Sequence, residues 1–284
     1  MREDRLEPAQ PVPDIALFED PEQGFTPEGY VPPPPVRSIS PAEILVALRK
    51  GAADFRNSWW IGMTFAAVYV VGGLLLVGAL FAQGYAFAAF PAIAGFLLIG
   101  PATAVAFYEI SRRLEAGEPL AWGAIAGSFR RHGGTQLLLF GGVLIFLMLI
   151  WMRAATLLYA LEFGANPVSP AELAANLTSP DALGFLLTGN AVGAVLAAVT
   201  FTVSVVAVPL LLDRDIDFMT ALATSMRACL VNPVSMLFWA LLIGVMLALS
   251  IATGLLGLLF ALPIVGHATW HVYRHVVVEQ DPHH

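Results

Sequence analysis

The chain has 284 residues, of which 58% are hydrophobic and 12% charged, with a mean hydropathy of +0.75 and a formal net charge of −7. Soluble domains carry about twice that charged fraction, so the composition sets this chain apart from them. The acidic balance argues against a nucleic-acid partner, and the single cysteine, Cys229, excludes an intrachain disulfide framework or a thiolate metal cluster.

Residues 1–40 hold eight acids against three arginines. With Pro8, Pro11, Pro13, Pro21, Pro27 and the run Pro32 to Pro35, residues 1–39 read as a disordered, acidic, Pro-rich cytoplasmic tail ending in a polyproline II spacer. No basic stretch followed by an apolar core opens the sequence, so the first transmembrane helix is expected to serve as an uncleaved anchor. Residues 40–278 then read as a six-helix transmembrane domain, with 279–284 as a flexible C-terminus.

Charge-free apolar runs long enough to cross a bilayer set the spans. The first is Trp59 to Phe81 and the second Tyr85 to Tyr108, parted only by Ala82-Gln83-Gly84. The third is Thr135 to about Tyr159, and Leu183 to Leu212 contains the fourth. Pro233 to Tyr273 is too long for one span; a break near Thr253-Gly254 gives two, about 234–253 and 255–276, and five spans are the alternative. Of the 14 Lys and Arg, 13 then fall on one side and the other, Arg153, lies inside span three. The positive-inside rule makes that side, and both termini, cytoplasmic in a bacterial inner membrane. The outer connection 162–182 carries only acids, and Ser169-Pro170-Ala171-Glu172 has capping-box spacing.

A threefold pattern runs through the chain. Each hairpin follows a short amphipathic segment: Ser40 to Arg56 with the capping box Ser40-Pro41-Ala42-Glu43, Pro119 to Arg131, and Asp217 to Val231. The junction residues are Asn57, His132 and Asn232. The second helix of each hairpin holds a proline: Pro101, Pro209 or Pro263. The fold expected is therefore an all-α membrane protein of three hairpins, each preceded by a cytoplasmic interfacial helix.

Two stretches resemble a bacterial integral membrane family, the domain of unknown function family 2189. They are Gly95-Phe96-Leu97-Leu98-Ile99-Gly100-Pro101 with Tyr108 to Pro119, and Gly266-His267-Ala268-Thr269-Trp270-His271-Val272-Tyr273-Arg274. The resemblance covers about residues 40–278 and implies a multi-span inner-membrane protein without an assigned activity. Some members carry the label cytochrome c oxidase subunit I. Such a catalytic subunit needs histidines on several helices; here His267, His271 and His275 share one helix, and His132, His283 and His284 lie at a junction and a terminus. The label does not fit a catalytic core.

His267 and His271, at i and i+4, are the weak metal candidates, with no clear third or fourth ligand. Glu109 and His271 occupy equivalent places after Pro101 and Pro263. Glu109, Arg112, His267, His271 and Arg274 are therefore the candidate polar cluster, as a structural clamp or a proton relay. Arg153 is a membrane-embedded charge that would snorkel to the outer interface or pair with Glu162. Cys229 reads as a small apolar packing residue. No P-loop, HExxH, GxSxG or CxxC is present, so no enzyme activity and no cofactor is expected. The function expected is a non-catalytic accessory or assembly subunit among membrane lipids and other membrane-protein subunits, a respiratory oxidase complex being one such setting. The alternative is a small-solute or lipid transporter or binding protein using Glu109, His267 and His271.

Overall fold

The computed structural model describes residues 33–128, 134–164 and 180–278. The expected tail up to residue 32, the junction at His132, the capping box at 169–172 and the terminus 279–284 lie outside the described residues.

Helix α1 runs 42 residues, Pro41–Ala82, and so joins the first interfacial segment to the first span without a loop. Ser40 opens it, its backbone N–H donating to the Glu43 carboxylate at 2.7 Å as the capping-box spacing requires. The segment and the span meet at a kink at Ser58 (φ −126°, ψ 18°). There the Ser58 hydroxyl donates to the Asp54 carbonyl at 2.8 Å, and such bonding to the preceding turn bends helices. From Trp60 to Ala82 the helix extends about 33 Å at 1.5 Å per residue, enough to cross a hydrocarbon core of about 30 Å. Gly84, at φ +80°, then ends it in a Schellman turn, with Tyr85 N–H on the Leu80 carbonyl and Gly84 N–H on that of Phe81.

The second apolar run is not one helix. It is α2 (Ala89–Leu98), α3 (Gly100–Thr103) and α4 (Val105–Glu115), interrupted at Ile99 and Ala104 around Pro101. Proline cannot donate to the carbonyl four residues back and crowds the preceding turn. Gly117 (φ +65°) closes α4 in another Schellman turn. The second interfacial segment contributes only the five-residue α5 (Trp122–Ala126). Helix α6 (Gly134–Phe163) follows.

The fourth run repeats the interruption. Helix α7 (Pro180–Ser204) and α8 (Ala207–Asp213) meet at Val205-Val206, ahead of Pro209. The Ser225 hydroxyl fills the gap: it accepts from Val206 N–H at 3.1 Å and donates to the Thr202 carbonyl at 2.8 Å. Ser225 belongs to α9 (Phe218–Val231), the segment expected to be the third interfacial helix, capped by the Asp217 carboxylate on Thr220 N–H. It leaves Met219, Met226 and Leu230 exposed, as suits a helix lying at a membrane surface.

Helix α10 (Pro233–Ala252) ends at Gly254 (φ +63°) in a third Schellman turn, and α11 (Leu258–Val276) begins beyond it, so the break falls where Thr253-Gly254 suggested. Among the described residues four helices are long and apolar enough to cross a membrane: Pro41–Ala82, Gly134–Phe163, Leu183–Asp213 and Pro233–Ala252. The six spans expected differ from these in two places. The second is in three pieces, and α11 carries polar side chains along one face. Among the described residues no strand forms beyond an isolated bridge between Val36 and Val277.

Helices α1 and α11 pack antiparallel and closely. A Cβ on Gly51 would sit 2.4 Å from the Ala268 backbone nitrogen, and one on Gly266 would sit 2.7 Å from Phe107 Cβ of α4. The buried stripe of α1 includes Ile44, Ala47, Gly51, Ser58, Gly62, Ala66, Tyr69 and Gly73, spaced at three, four or seven residues. The bridge carries Arg37 N–H to the Val276 carbonyl and Val278 N–H to that of Pro35. Asn232, buried at the junction of α9 and α10, accepts from Ile39 N–H at 2.6 Å and donates to the Arg37 carbonyl at 3.1 Å. Residues 36 and 277 are thereby held side by side.

Aromatic rings gather at two levels. Trp122 meets Trp60 and Phe65 at one, with ring centroids 5.4 and 5.9 Å away. Phe87, Tyr159, Phe163 and Phe185 meet at the other. Rings in two such tiers match the interfacial belts of membrane proteins.

Candidate functional site

The polar residues of α11 reach across to α1, α4 and α8. Asp54, on the buried side of α1, is the centre. Its Oδ2 accepts from Ser111 Oγ of α4 at 2.7 Å and lies 2.8 Å from His271 Nε2. Ser111 has one hydroxyl proton, given to Asp54, so at 2.9 Å its oxygen accepts from His267 Nδ1. That fixes the His267 tautomer and leaves Nε2 buried without a partner, the ring edge-on to Phe107.

His271 Nδ1 lies 3.3 Å from Glu115 Oε1, so this ring faces a carboxylate from each nitrogen. The Nε2 contact is a hydrogen bond, the Nδ1 contact is not, and both become charge pairs only with the imidazolium. Glu115 also receives Trp270 Nε1–H at 3.0 Å and lies 3.4 Å from Arg274 Nε. Burial works to raise the Glu115 pKa, but His271, Trp270 and Arg274 outweigh it and hold the carboxyl below its ordinary value. The chain of contacts ends at Asp213 of α8, which accepts from the Tyr273 hydroxyl and lies 3.8 Å from Arg274.

Glu109 and Arg112 sit in a neighbouring set on α4. Glu109, fully buried, accepts from Arg112 Nε at 2.8 Å and from Arg113 Nε at 2.7 Å. The Gly117 turn brings Glu118 back onto both arginines, at 3.0 and 3.3 Å. Of the five residues proposed as one cluster, then, His267, His271 and Arg274 join Asp54, Ser111, Glu115 and Asp213, while Glu109 and Arg112 join Arg113 and Glu118. Asp54, Ser111 and Glu115 escaped the sequence reading. Asp54 did leave a signal: it falls three residues after Gly51 and four before Ser58, on the stripe that α1 buries.

Among the described residues no group of three His, Cys, Asp or Glu is arranged to hold a metal ion, so His267 and His271 remain a pair. Arg153 is exposed on α6, and among the described residues no ion pair joins it to Glu162. Cys229 is partly buried on α9, which pushes its thiol up to about 11, away from reactivity.

A cavity of about 550 Å³ opens on the opposite side of α11 from this lattice. Its wall takes in Tyr108, Gly266 and Thr269, the neighbours of Glu109, His267 and His271, but not those three.

The decisive comparison is with a family model. Residues 89–213 match the model of DUF2189, described as a predicted integral membrane protein. The DUF2189 segment begins with the first residue of α2 and ends with the last of α8. It contains the Gly95–Pro119 motif, Glu109 and Arg112, whereas α1, the Gly266–Arg274 motif and hence most of the Asp54 lattice lie outside it. Among the described residues, four helices of spanning length and shorter apolar ones agree with that description, so the chain is an integral, multi-pass membrane protein. No curated protein and no solved structure is significantly similar to the chain.

Proposed function

We propose that this chain is a non-catalytic accessory or assembly subunit of the bacterial inner membrane, with six spans, both termini cytoplasmic, and other membrane proteins as its partners. The observation that carries the reading is the Asp54 lattice. Its carboxylates and hydroxyls, with one nitrogen of each imidazole, are engaged with one another across α1, α4, α8 and α11, which is how a clamp behaves. Within this reading the broken α2–α4 and the polar-faced α11 are the second and sixth crossings. Support for the orientation comes from the charge count, and support for an even number of crossings from the pinning of residues 36 and 277 side by side. A respiratory oxidase complex is the setting to which the label of similar family members points.

The test is purification from native membranes in gentle detergent, followed by native mass spectrometry. A stoichiometric membrane-protein partner is expected; migration alone would overturn the assignment. Topology is checked separately by single cysteines in a Cys229→Ser background. A membrane-impermeant maleimide applied to spheroplasts should label Gly84→Cys and Gly254→Cys but not Glu118→Cys. The alternative, a transporter built on Glu109, His267 and His271, has less support because the cavity wall passes beside those residues without including them.

A further inference from the structure

The cavity is where the interrupted helices converge. Gly100, Pro101 and Ala104 line it from α3 and the break before α4, and Ser204 and Val205 line it from the break between α7 and α8. Irregular backbone at membrane depth is tolerated only where it is buried in protein or borders a cavity. Two independent breaks facing one space therefore mark that space as built.

Its shape and mouth say what fills it. On α7 the wall runs from Ala194 to Ser204 and on α10 from Leu237 to Leu247, about 15 Å in each case at 1.5 Å per residue. That is about half of a hydrocarbon core, the depth of one leaflet. Leu237 and Leu241 of α10 are 61% and 60% exposed, and Ala197 and Ala198 of α7 are exposed as well. The cavity thus opens sideways between these helices, toward lipid rather than water. Among the hydroxyl-bearing residues of the wall, Tyr108, Ser204 and Thr269 lie toward the cytoplasmic end, Thr200 lies one turn deeper on α7, and the Tyr69 hydroxyl is spent on the Phe96 carbonyl, while Leu97, Leu247 and Leu262 line the deeper part. Hydroxyls at the shallow end and hydrocarbon beyond match the order of groups along a phospholipid, from ester to chain terminus.

We infer that this cavity is a lateral binding site for one acyl chain of a cytoplasmic-leaflet phospholipid. The leaflet rests on the topology proposed above; the occupant does not. The probe is a phosphatidylethanolamine with a diazirine at the end of one acyl chain, incorporated with the full-length protein into phosphatidylethanolamine–phosphatidylglycerol vesicles. After irradiation, adducts are expected on Leu262 and Val265, which line the cavity, as well as on Phe146, which is exposed midway along α6. Gly244→Trp with Ala197→Trp fills the mouth and should cut the Leu262 and Val265 adducts about tenfold, leaving Phe146 unchanged. A thermal transition like that of the unaltered protein shows that the filled variant is folded, and Leu241→Trp repeats the block from the exposed rim if it is not.

Adducts on Phe146 alone, or adducts on Leu262 indifferent to both blocks, would overturn the assignment. Thr200 Oγ1 is buried beside the cavity without a partner. Thr200→Val should leave labelling intact; loss would mean a polar head at that depth, and so a different class of ligand. Reversed cysteine labelling with intact Leu262 adducts would fault the topology and spare the site.

Discussion

Replacing Gly51 by alanine should loosen the whole domain, because the missing side chain is what lets α1 lie against α11. The added Cβ would stand 2.4 Å from the Ala268 nitrogen, 2.7 Å from its Cα and 2.8 Å from its Cβ. Carbon atoms prefer about 3.5–4.0 Å, so the helices must part by about 1 Å. No flexible side chain can absorb this, since two of the three colliding atoms are backbone. Overpacking of this kind costs about 1–3 kcal/mol, and a backbone collision belongs at the upper end. Alanine returns up to about 1 kcal/mol over glycine in a helix, leaving a net loss of about 2 kcal/mol. Asp54 lies one turn on, and parting by about 1 Å would carry its 2.8 Å contact with His271 beyond hydrogen-bond reach. The assay is unfolding in mixed micelles titrated with sodium dodecyl sulfate, followed by tryptophan fluorescence. Gly78→Ala on the same helix is the control, because nothing lies within 4 Å of its Cβ; it should be neutral or slightly stabilising. If Gly51→Ala unfolds no earlier than Gly78→Ala, the close-contact argument is wrong.

Asp54→Ala removes the acceptor shared by Ser111 and His271 and should cost about 3 kcal/mol in the same unfolding assay, whereas Asp215→Ala should be silent. Glu115 has a depressed pKa, so its contribution is complete above the ordinary value of 4.5 and is lost as pH falls through the lower folded value. Thermal midpoints should therefore drop on acidification from neutral pH, with a shallower drop in Glu115→Gln; equal slopes would refute this. Asn232→Ala should release residues 37–39, seen as faster trypsin cleavage at the exposed Arg37. Unchanged cleavage would mean that the Val36–Val277 bridge alone suffices.

Local signals in the sequence carried far. Ser40 and Glu43 announced the start of α1, and Gly254 announced the break between α10 and α11, because capping and the left-handed turn depend on neighbours in sequence. The proline interruptions were visible as residues, but their consequence differed by place: Pro263 stays inside α11, while Pro101 and Pro209 follow gaps. What decides this is a partner such as Ser225, which arrives from another helix to hold the Val206 amide. The lattice was half legible for a similar reason. His267, His271 and Arg274 stood out as polar groups in an apolar run. Asp54 sat among other charges, and its distinction is a contact 217 residues away. Glu109 looked symmetric with His271, yet arginines three and four residues along its own helix claim it first, as helical spacing favours.

The packing of α1 against α11 also sets a schedule for biosynthesis. Among the described helices the earliest to be made has as its main partner the latest, so Gly51 and Asp54 enter the bilayer region before Ala268 and His271 exist. Every intermediate length of nascent chain carries an uncovered small-residue stripe and a carboxylate awaiting its imidazole. Helices α2 to α8 can pair with their neighbours in passing, and α1 can meet α2, α4 and α5 early, but its main seam must wait, and late non-local closure of this kind slows folding. Truncation anywhere before Arg274 would thus leave the earliest part of the protein, rather than the latest, without its mate.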